Sequence, residues 1–449
     1  MEKIKKFFKI DEKNTTIRTE IIGGIVTFLA MAYILAVNPG ILGDAGMPQG
    51  GVFIATAVSA AVATLMMGLY ANYPIALAPG MGINALFTYT VVLTMGYTWQ
   101  EALAATFISG VIFVLISFTP VRSAIINAVP ASLKKAIGAG IGFFIAFIGL
   151  KNAGIIVTNS ATAVALGDFT NPSVLLAIFG ILVVFVLYAV RHKISKFSFI
   201  LAILITATVG VILGLLGVDG MPAFGGGYKD LGTINETFFG FAEGLKTVFK
   251  HPNLWFVIFS FLYLDIFDTA GTLISVAEPA GLLNENGEME NIDKAMMSDA
   301  VGTVVGAVLG TSTVTSYVES TSGIESGAKT GLAAVVVGIL LLLSIVLYPV
   351  FNIFINSSAI TSMALVMVGI LMVGQLQGIE WQDKPTVASA FITIIMMVLT
   401  YSIGNGIAFG FITYVLMMLV QKRHKEVTWM MYLLVVAFIT YFTIQAIMG

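Results

Sequence analysis

The strongest constraint on this chain is the recurrence of long apolar runs. A helix needs about 20 mostly apolar residues to cross a bilayer. Such runs are read at 21–42, 52–72, 80–95, 99–119, 133–150, 172–190 and 197–216. After a connector at 217–252 they resume at 253–277, 295–309, 317–325, 331–351, 358–376, 386–401, 404–421 and 428–448. Charged residues make up 10% of the 449, where an ordinary soluble domain carries about 25%. A water-soluble fold of this length is thereby excluded. The chain reads as an all-α polytopic membrane protein, because a helix satisfies its own backbone inside the bilayer.

Charge sets the expected sidedness. The N-terminal stretch MEKIKKFFKI is basic and amphipathic. It reads as a short surface helix on the cytoplasmic side of the plasma membrane, without the apolar core of a signal peptide. Positive residues should gather in cytoplasmic loops. Arg122, Lys134 and Lys135 fall on one side, as do Arg191, His192, Lys193, Lys196 and Lys329. The cluster Lys422-Arg423-His424-Lys425 joins them when 386–401 and 404–421 are two short helices, hinged at Gly404 and Gly406. The connector 217–252, with Gly225-Gly226-Gly227 and mixed charges, reads as an exposed extracytoplasmic loop.

Two halves, 1–216 and 253–449, share an order of hydropathy. Each sets two long spans around one segment rich in Gly, Pro, Ser or Thr, followed by several more spans. Seven spans are an odd number, so the second half is expected upside down relative to the first. Inverted repeats place a solute site at mid-membrane, where short or interrupted helices meet.

Two interrupted segments stand out. In Tyr73–Asn84, Pro74 and Pro79 forbid a continuous helix, and Gly80 and Gly82 permit sharp turns. Gly80–Ala85 also matches a GxGxxA dinucleotide pattern, but no βαβ unit surrounds it. Asn84 can donate and accept hydrogen bonds, toward a solute or as glue between helices. The second segment, Gly310–Gly323, is a run of Ser and Thr around Glu319. Unsatisfied polar groups cannot face lipid, so this run must line a cavity or pack inside the protein.

Between them, Asp265, Asp268, Thr269 and Thr272 fall at i, i+3, i+4 and i+7, one polar stripe on an apolar helix. Asp265, Asp268 and Glu319 are the carboxylates placed deep in the membrane, where ionisable residues are costly and usually functional. The bland alternative is a carboxylate that caps a helix end. No deep Lys or Arg matches them. A carboxyl without a cationic partner in a low dielectric favours its protonated form, which suits proton coupling. The aromatics Phe28, Phe87, Phe267 and Tyr317 serve packing, or stacking on a flat ring. With no cysteine, and with His192, His251 and His424 all in connectors, neither a metal site nor another cofactor is expected.

The runs Pro74–Asn84, Asp265–Thr272 and Gly310–Ser320 resemble those of the adenine/guanine/hypoxanthine permeases. These form the AzgA-like branch of the nucleobase–cation symporters, related to the uracil and xanthine permeases. The resemblance covers essentially the whole chain. It implies two inverted seven-helix repeats, folded into core and gate domains, with the substrate between two half-helices preceded by short strands. Asn84, Asp268, Glu319, Phe267, Tyr317 and Gly82 are then the expected substrate-binding residues, and Asp265 and Asp268 the proton-coupling ones. The implied activity is import of a purine nucleobase by proton symport with an elevator-like movement of the core. Guanine, hypoxanthine, adenine and xanthine all remain candidates, and sodium remains the alternative coupling ion. The implied partners are the base, the cation and the lipid bilayer, with a homodimer as one arrangement and no nucleic acid. A carrier or channel for inorganic anions is the rival function; it needs a positive site, which three carboxylates oppose. An intramembrane enzyme is a second rival, and no nucleophile–base pair stands out for it.

Overall fold

Proline, glycine and hydroxyl residues, rather than apolar ones, decide how the middle of this molecule is built. The computed structural model describes residues 2–119, 129–190, 197–222, 227–280 and 292–448, with Leu282 and Met289. The basic residues Arg122, Arg191, His192, Lys193 and Lys196 lie outside the described residues, as do Gly225 and Gly226. Among the described residues, ten helices are long and apolar enough to span a membrane.

The two interrupted segments meet as a two-stranded antiparallel sheet. Strand β1 is Leu77–Pro79. Strands β2 and β3, Ile156–Asn159 and Ala163–Leu166, form a separate peripheral hairpin. Strand β4 is Val314–Ser316, and it pairs with β1 in the register Leu77↔Ser316, Ala78↔Thr315, Pro79↔Val314. Backbone groups freed from helix are satisfied locally. The Thr64 hydroxyl accepts from Leu77 N at 2.9 Å and donates to its carbonyl at 3.0 Å. Gly80 N donates to Thr313 O at 3.0 Å, Tyr317 N to Ala76 O at 2.9 Å, and Ala76 N to Ser320 Oγ at 3.0 Å. This is the accounting that buried backbone demands. A side chain at Gly80 would bring its Cβ within 2.8 Å of Thr315 Cγ2, so the strands approach as closely as they do because glycine stands there.

Both segments return to helix sooner than their composition suggests. Helix resumes at Met81–Ala85 and continues as Leu86–Thr94, so residues 81–84 are helical rather than extended. On the other side, Ser320–Glu325 is a short helix. Each repeat therefore contributes a short strand followed by a half-helix.

The helices form two bundles. Ile17–Asp44, Gln49–Ala71, Trp99–Ser117, Pro252–Ala280, Ile292–Leu309 and Gly331–Leu343 pack about the two strands. Ala131–Asn152, Pro172–Ala189, Ser198–Leu215, Ser358–Val373, Lys384–Leu399 and Ile403–Val420 form the second. Within it Ala131–Asn152 and Ser358–Val373 meet at Gly142 and Gly369, where a Cβ on Gly142 would lie 2.8 Å from the Gly369 carbonyl. Small residues let helices in lipid approach at backbone distance.

Three local features depart from the sequence reading. The connector is not a plain exposed loop: Phe241–Val248 is an amphipathic helix whose Phe241, Gly244 and Val248 are buried. It is pinned by Phe239 N to Val308 O at 2.9 Å and by a Phe107–Phe241 ring stack at 4.2 Å. The β2–β3 hairpin was also not anticipated; the β-branched run Ile155–Thr158 and the Asn159 side chain, which accepts from Ala161 N and Thr162 N, account for it. At the C-terminal end, Lys384–Leu399 and Ile403–Val420 are two helices as expected, but the break falls at 400–402 rather than at Gly404 and Gly406, which lie inside the second helix; Trp429–Met448 follows as one more. The N-terminal helix Glu2–Phe8 is held by Asn72 Nδ2, which donates to Phe8 O at 3.2 Å.

Candidate functional site

The strands and half-helices converge on a cavity of about 380 Å³ at the junction of the two bundles. Ligand clefts commonly measure about 300–1,000 Å³. From the first bundle it is lined by Tyr33, by Gly80, Met81 and Gly82, by Asp268 and Thr272, and by Thr315–Glu319. The second bundle contributes Tyr188, Ser198 and Phe199, and Met367–Gln375 in part. Among the described residues no Lys, Arg or His lines it.

Glu319 immediately precedes the half-helix Ser320–Glu325. It accepts from the Tyr33 hydroxyl at 2.6 Å. Tyr33 sits at the break between the helices Ile17–Met31 and Ile34–Asp44, and its ring stacks on Phe199 of the second bundle at 4.3 Å. Tyr317 also lines the cavity, and its hydroxyl donates to Pro79 O at 2.6 Å.

The polar stripe on Pro252–Ala280 divides by depth. Asp268 and Thr272 reach the cavity. Asp265 is 1% exposed and accepts from Thr303 at 2.8 Å. Thr269 donates to Asp299 at 2.6 Å and pairs with Thr315 at 2.8 Å. Asp299 is fully buried on Ile292–Leu309 and is a fourth deep carboxylate that the sequence reading passed over. Its position inside the 295–309 span was the available signal. Tyr33 was missed too, being one aromatic in an apolar run.

Other expected residues lie off the cavity. Asn84 is fully buried, one turn into its half-helix, where Ser312 donates to its Oδ1. That bond ties the half-helix to the other interrupted segment, while Asn84 Nδ2 has no hydrogen-bond partner among the described residues. Phe267 packs on Tyr263 at 4.3 Å, with Lys134 Nζ 5.2 Å from its ring centroid; neither it nor Phe28 or Phe87 lines the cavity. One residue along a helix is a rotation of about 100°, which turns Phe267 away when Asp268 faces the cavity. Phe87 stacks on Phe261 at 6.4 Å.

At the far end of the bundles from Ser198, Phe199 and Gln375, a second polar cluster joins them. Tyr89 donates to Asp44 at 2.7 Å, and Asn152 donates to Tyr89 at 3.1 Å and to Asp44 at 3.3 Å. Lys151 lies over the Tyr401 ring at 4.6 Å.

Residues 18–409 match the model of a family described as the Permease family (Xan_ur_permease). The chain is 46% identical to the guanine/hypoxanthine permease PbuG of Bacillus subtilis (strain 168), over 98% of this chain and 99% of that one. It is 40% identical to the adenine permease AdeP of Escherichia coli (strain K12), over 95% and 92%. Among solved structures, the transmembrane domain of the cyanobacterial bicarbonate transporter BicA superposes with a TM-score of 0.60 at 14% identity, covering 86% of this chain and 97% of that one. The structure of SLC26A9 does so with a TM-score of 0.62 at 11% identity, covering 93% and 68%. At such identities the likeness concerns the fold alone: inverted seven-helix repeats with core and gate domains.

Proposed function

The chain belongs to the Permease family, and from that premise we propose that it is a secondary active transporter that imports purine nucleobases by proton symport. The observation that carries this reading is that Glu319 and Asp268 both line a cavity at the junction of the two bundles, which no Lys, Arg or His among the described residues lines. A 6-oxopurine presents N–H donors on one edge and acceptors on the other. Glu319 accepts from the N–H edge, and the backbone and hydroxyl groups of the interrupted segments serve the acceptors. Such a site rejects analogues that leave its buried polar groups unpaired. The names of PbuG and AdeP support a purine.

The proton is assigned to the carboxylates Asp265 and Asp268, with Asp299 beside them. Asp265 Oδ1 and Asp299 Oδ2 have no hydrogen-bond partner among the described residues. A buried charge left unpaired is expensive, and taking up a proton relieves it.

The repeats are taken as 1–216 and 253–449, with the connector 217–252 on the outside and the N-terminus in the cytoplasm of a plasma-membrane protein. On that sidedness the cavity opens inward, and the Asp44–Tyr89–Asn152 cluster closes the outer side. Transport then proceeds by an elevator-like shift of the first bundle against the second. The rival reading, an inorganic anion carrier on the same architecture, needs a positive site, and no basic residue among the described ones lines this cavity.

The test is uptake of labelled guanine, hypoxanthine and adenine by cells lacking their own purine carriers, with and without a protonophore. Expected is uptake of at least one base, collapsing with the protonophore. No uptake of any base overturns the substrate. Uptake that ignores the protonophore and follows sodium overturns the coupling ion.

A further inference from the structure

The carboxylate assigned to read the purine already has a partner. Tyr33 donates to Glu319 Oε1 at 2.6 Å. The tyrosine is 3% exposed, and its ring is held in a near-parallel stack on Phe199, with centroids 4.3 Å apart and 19° between planes. Its backbone sits where Ile17–Met31 gives way to Ile34–Asp44. The hydroxyl is thus aimed by a fixed backbone turn and a clamped ring, not by a free rotor. Phe199 also lines the cavity, so the clamp belongs to the site.

A carboxylate has two oxygens and can accept two parallel N–H bonds. Guanine offers such a pair, its ring N1–H and its exocyclic amino group. Hypoxanthine offers the N1–H without the amino group. With Oε1 occupied, Glu319 presents chiefly Oε2 to the cavity, which suits one N–H donor.

We propose that Tyr33 is a specificity-determining residue: by capping one oxygen of Glu319, it makes the site read a single purine N–H and holds guanine and hypoxanthine near parity. This rests on the purine reading above and on Glu319 as the acceptor. Tyr33→Phe keeps the ring and its stack and frees Oε1. Guanine then gains a second bond to the carboxylate and hypoxanthine does not.

The experiment is competition binding on the purified full-length protein in lipid nanodiscs. Labelled hypoxanthine is displaced by unlabelled hypoxanthine or by guanine. In Tyr33→Phe the guanine-to-hypoxanthine affinity ratio is expected to rise about tenfold or more, the scale of one added hydrogen bond to a charged group. A variant that weakens both bases by the same factor, leaving the ratio unchanged, overturns the proposal, since a merely structural tyrosine acts that way. Should Tyr33→Phe not assemble, Phe199→Leu keeps the hydroxyl and loosens its clamp; the ratio must rise in the same sense by a smaller factor, and an unchanged ratio again overturns it. The purine reading fails separately: there the parent protein itself binds neither base.

Discussion

The hydroxyl of Tyr317 donates to the carbonyl of Pro79 at 2.6 Å, tying the interrupted segment of the second half to that of the first. Proline ends β1 there and its carbonyl lies buried beside the cavity. The bond extends the three-residue pairing of β1 with β4 by one cross-link. Tyr317→Phe removes the donor and leaves that carbonyl unpaired. Losing one partner of a buried pair costs about 1–3 kcal/mol. The variant should therefore melt several degrees below the parent, read by intrinsic fluorescence in detergent, and added base should recover part of the loss. A melting point equal to the parent's would mean that water replaces the hydroxyl without cost.

A second prediction concerns the end of the bundle that carries the basic cluster. Asp383 caps the helix Lys384–Leu399, accepting from Thr386 N at 3.2 Å and from its hydroxyl at 2.7 Å, and Arg423 Nη1 stands 2.5 Å away. Burial alone would raise the carboxyl's pKa, but these hydrogen bonds and the guanidinium outweigh it and hold it below 3.8. A carboxylate depressed in the folded state stabilises it above the unfolded pKa, and that stabilisation fades as pH falls through the lower folded value. The melting-point gap between parent and Asp383→Ala should therefore stay constant from neutral pH down to about 5, then close below the ordinary aspartate range. The gap should be small, since a partly exposed pair is screened. A gap that widens on acidification would contradict the assignment.

The cluster Asp44–Tyr89–Asn152 supplies a third. It joins a residue of the second bundle, Asn152, to two of the first, and under the elevator reading it must open when the cavity turns outward. The chain contains no cysteine, so a single introduced one reports cleanly. Thr361 lines the polar pocket next to Asp44 and Asn152. With Thr361→Cys as reporter, adding Tyr89→Phe should raise the rate of labelling by a membrane-impermeant maleimide about two- to tenfold, the range for one net hydrogen bond. Labelling that is unchanged by Tyr89→Phe would show that the cluster does not hold the outer side closed.

How far the sequence reveals this architecture depends on the range of the interaction. Apolar spans are legible because the bilayer imposes their length, and the interrupted segments because Pro74, Pro79 and the Ser/Thr run leave a continuous lipid-facing helix no way to exist. The pairing of Asp268 with Glu319 is legible as the consequence of inverted repeats that bring both segments to the middle. Tyr33 is not, since its partners Glu319 and Phe199 lie far along the chain, and a lone tyrosine in the apolar run 30–37 gives no local sign of what it reaches. Asn84 and Phe267 show how position along the chain underdetermines direction. Both stand beside residues that line the cavity, Gly82 and Asp268, and helical rotation points them elsewhere. The connector helix Phe241–Val248 was legible in its i, i+3, i+7 apolar positions, yet its charges and neighbouring glycines argued for a loop.

The sharpest prediction separates the carboxylates by depth. Glu319 and Asp268 line the cavity, whereas Asp265 and Asp299 lie behind it on Thr303 and Thr269. Glu319→Gln keeps the shape and replaces one acceptor by a donor. A hydrogen bond to a charged group contributes about 1.5–3 kcal/mol, so purine binding should weaken roughly tenfold or more. Asp268→Asn should still bind base, since Glu319 is intact, yet fail to accumulate it, because the group assigned to carry the proton beside the substrate can no longer ionise. Asp265→Asn should be milder, as an amide oxygen can accept from Thr303 just as the carboxylate does. Binding is measured by calorimetry in detergent and accumulation in vesicles under an imposed pH gradient. If Asp268→Asn accumulates base normally while Asp265→Asn is dead, the coupling role passes to the buried acid. If Glu319→Gln binds like the parent, Glu319 does not read the base, and the role assigned to Tyr33 falls with it.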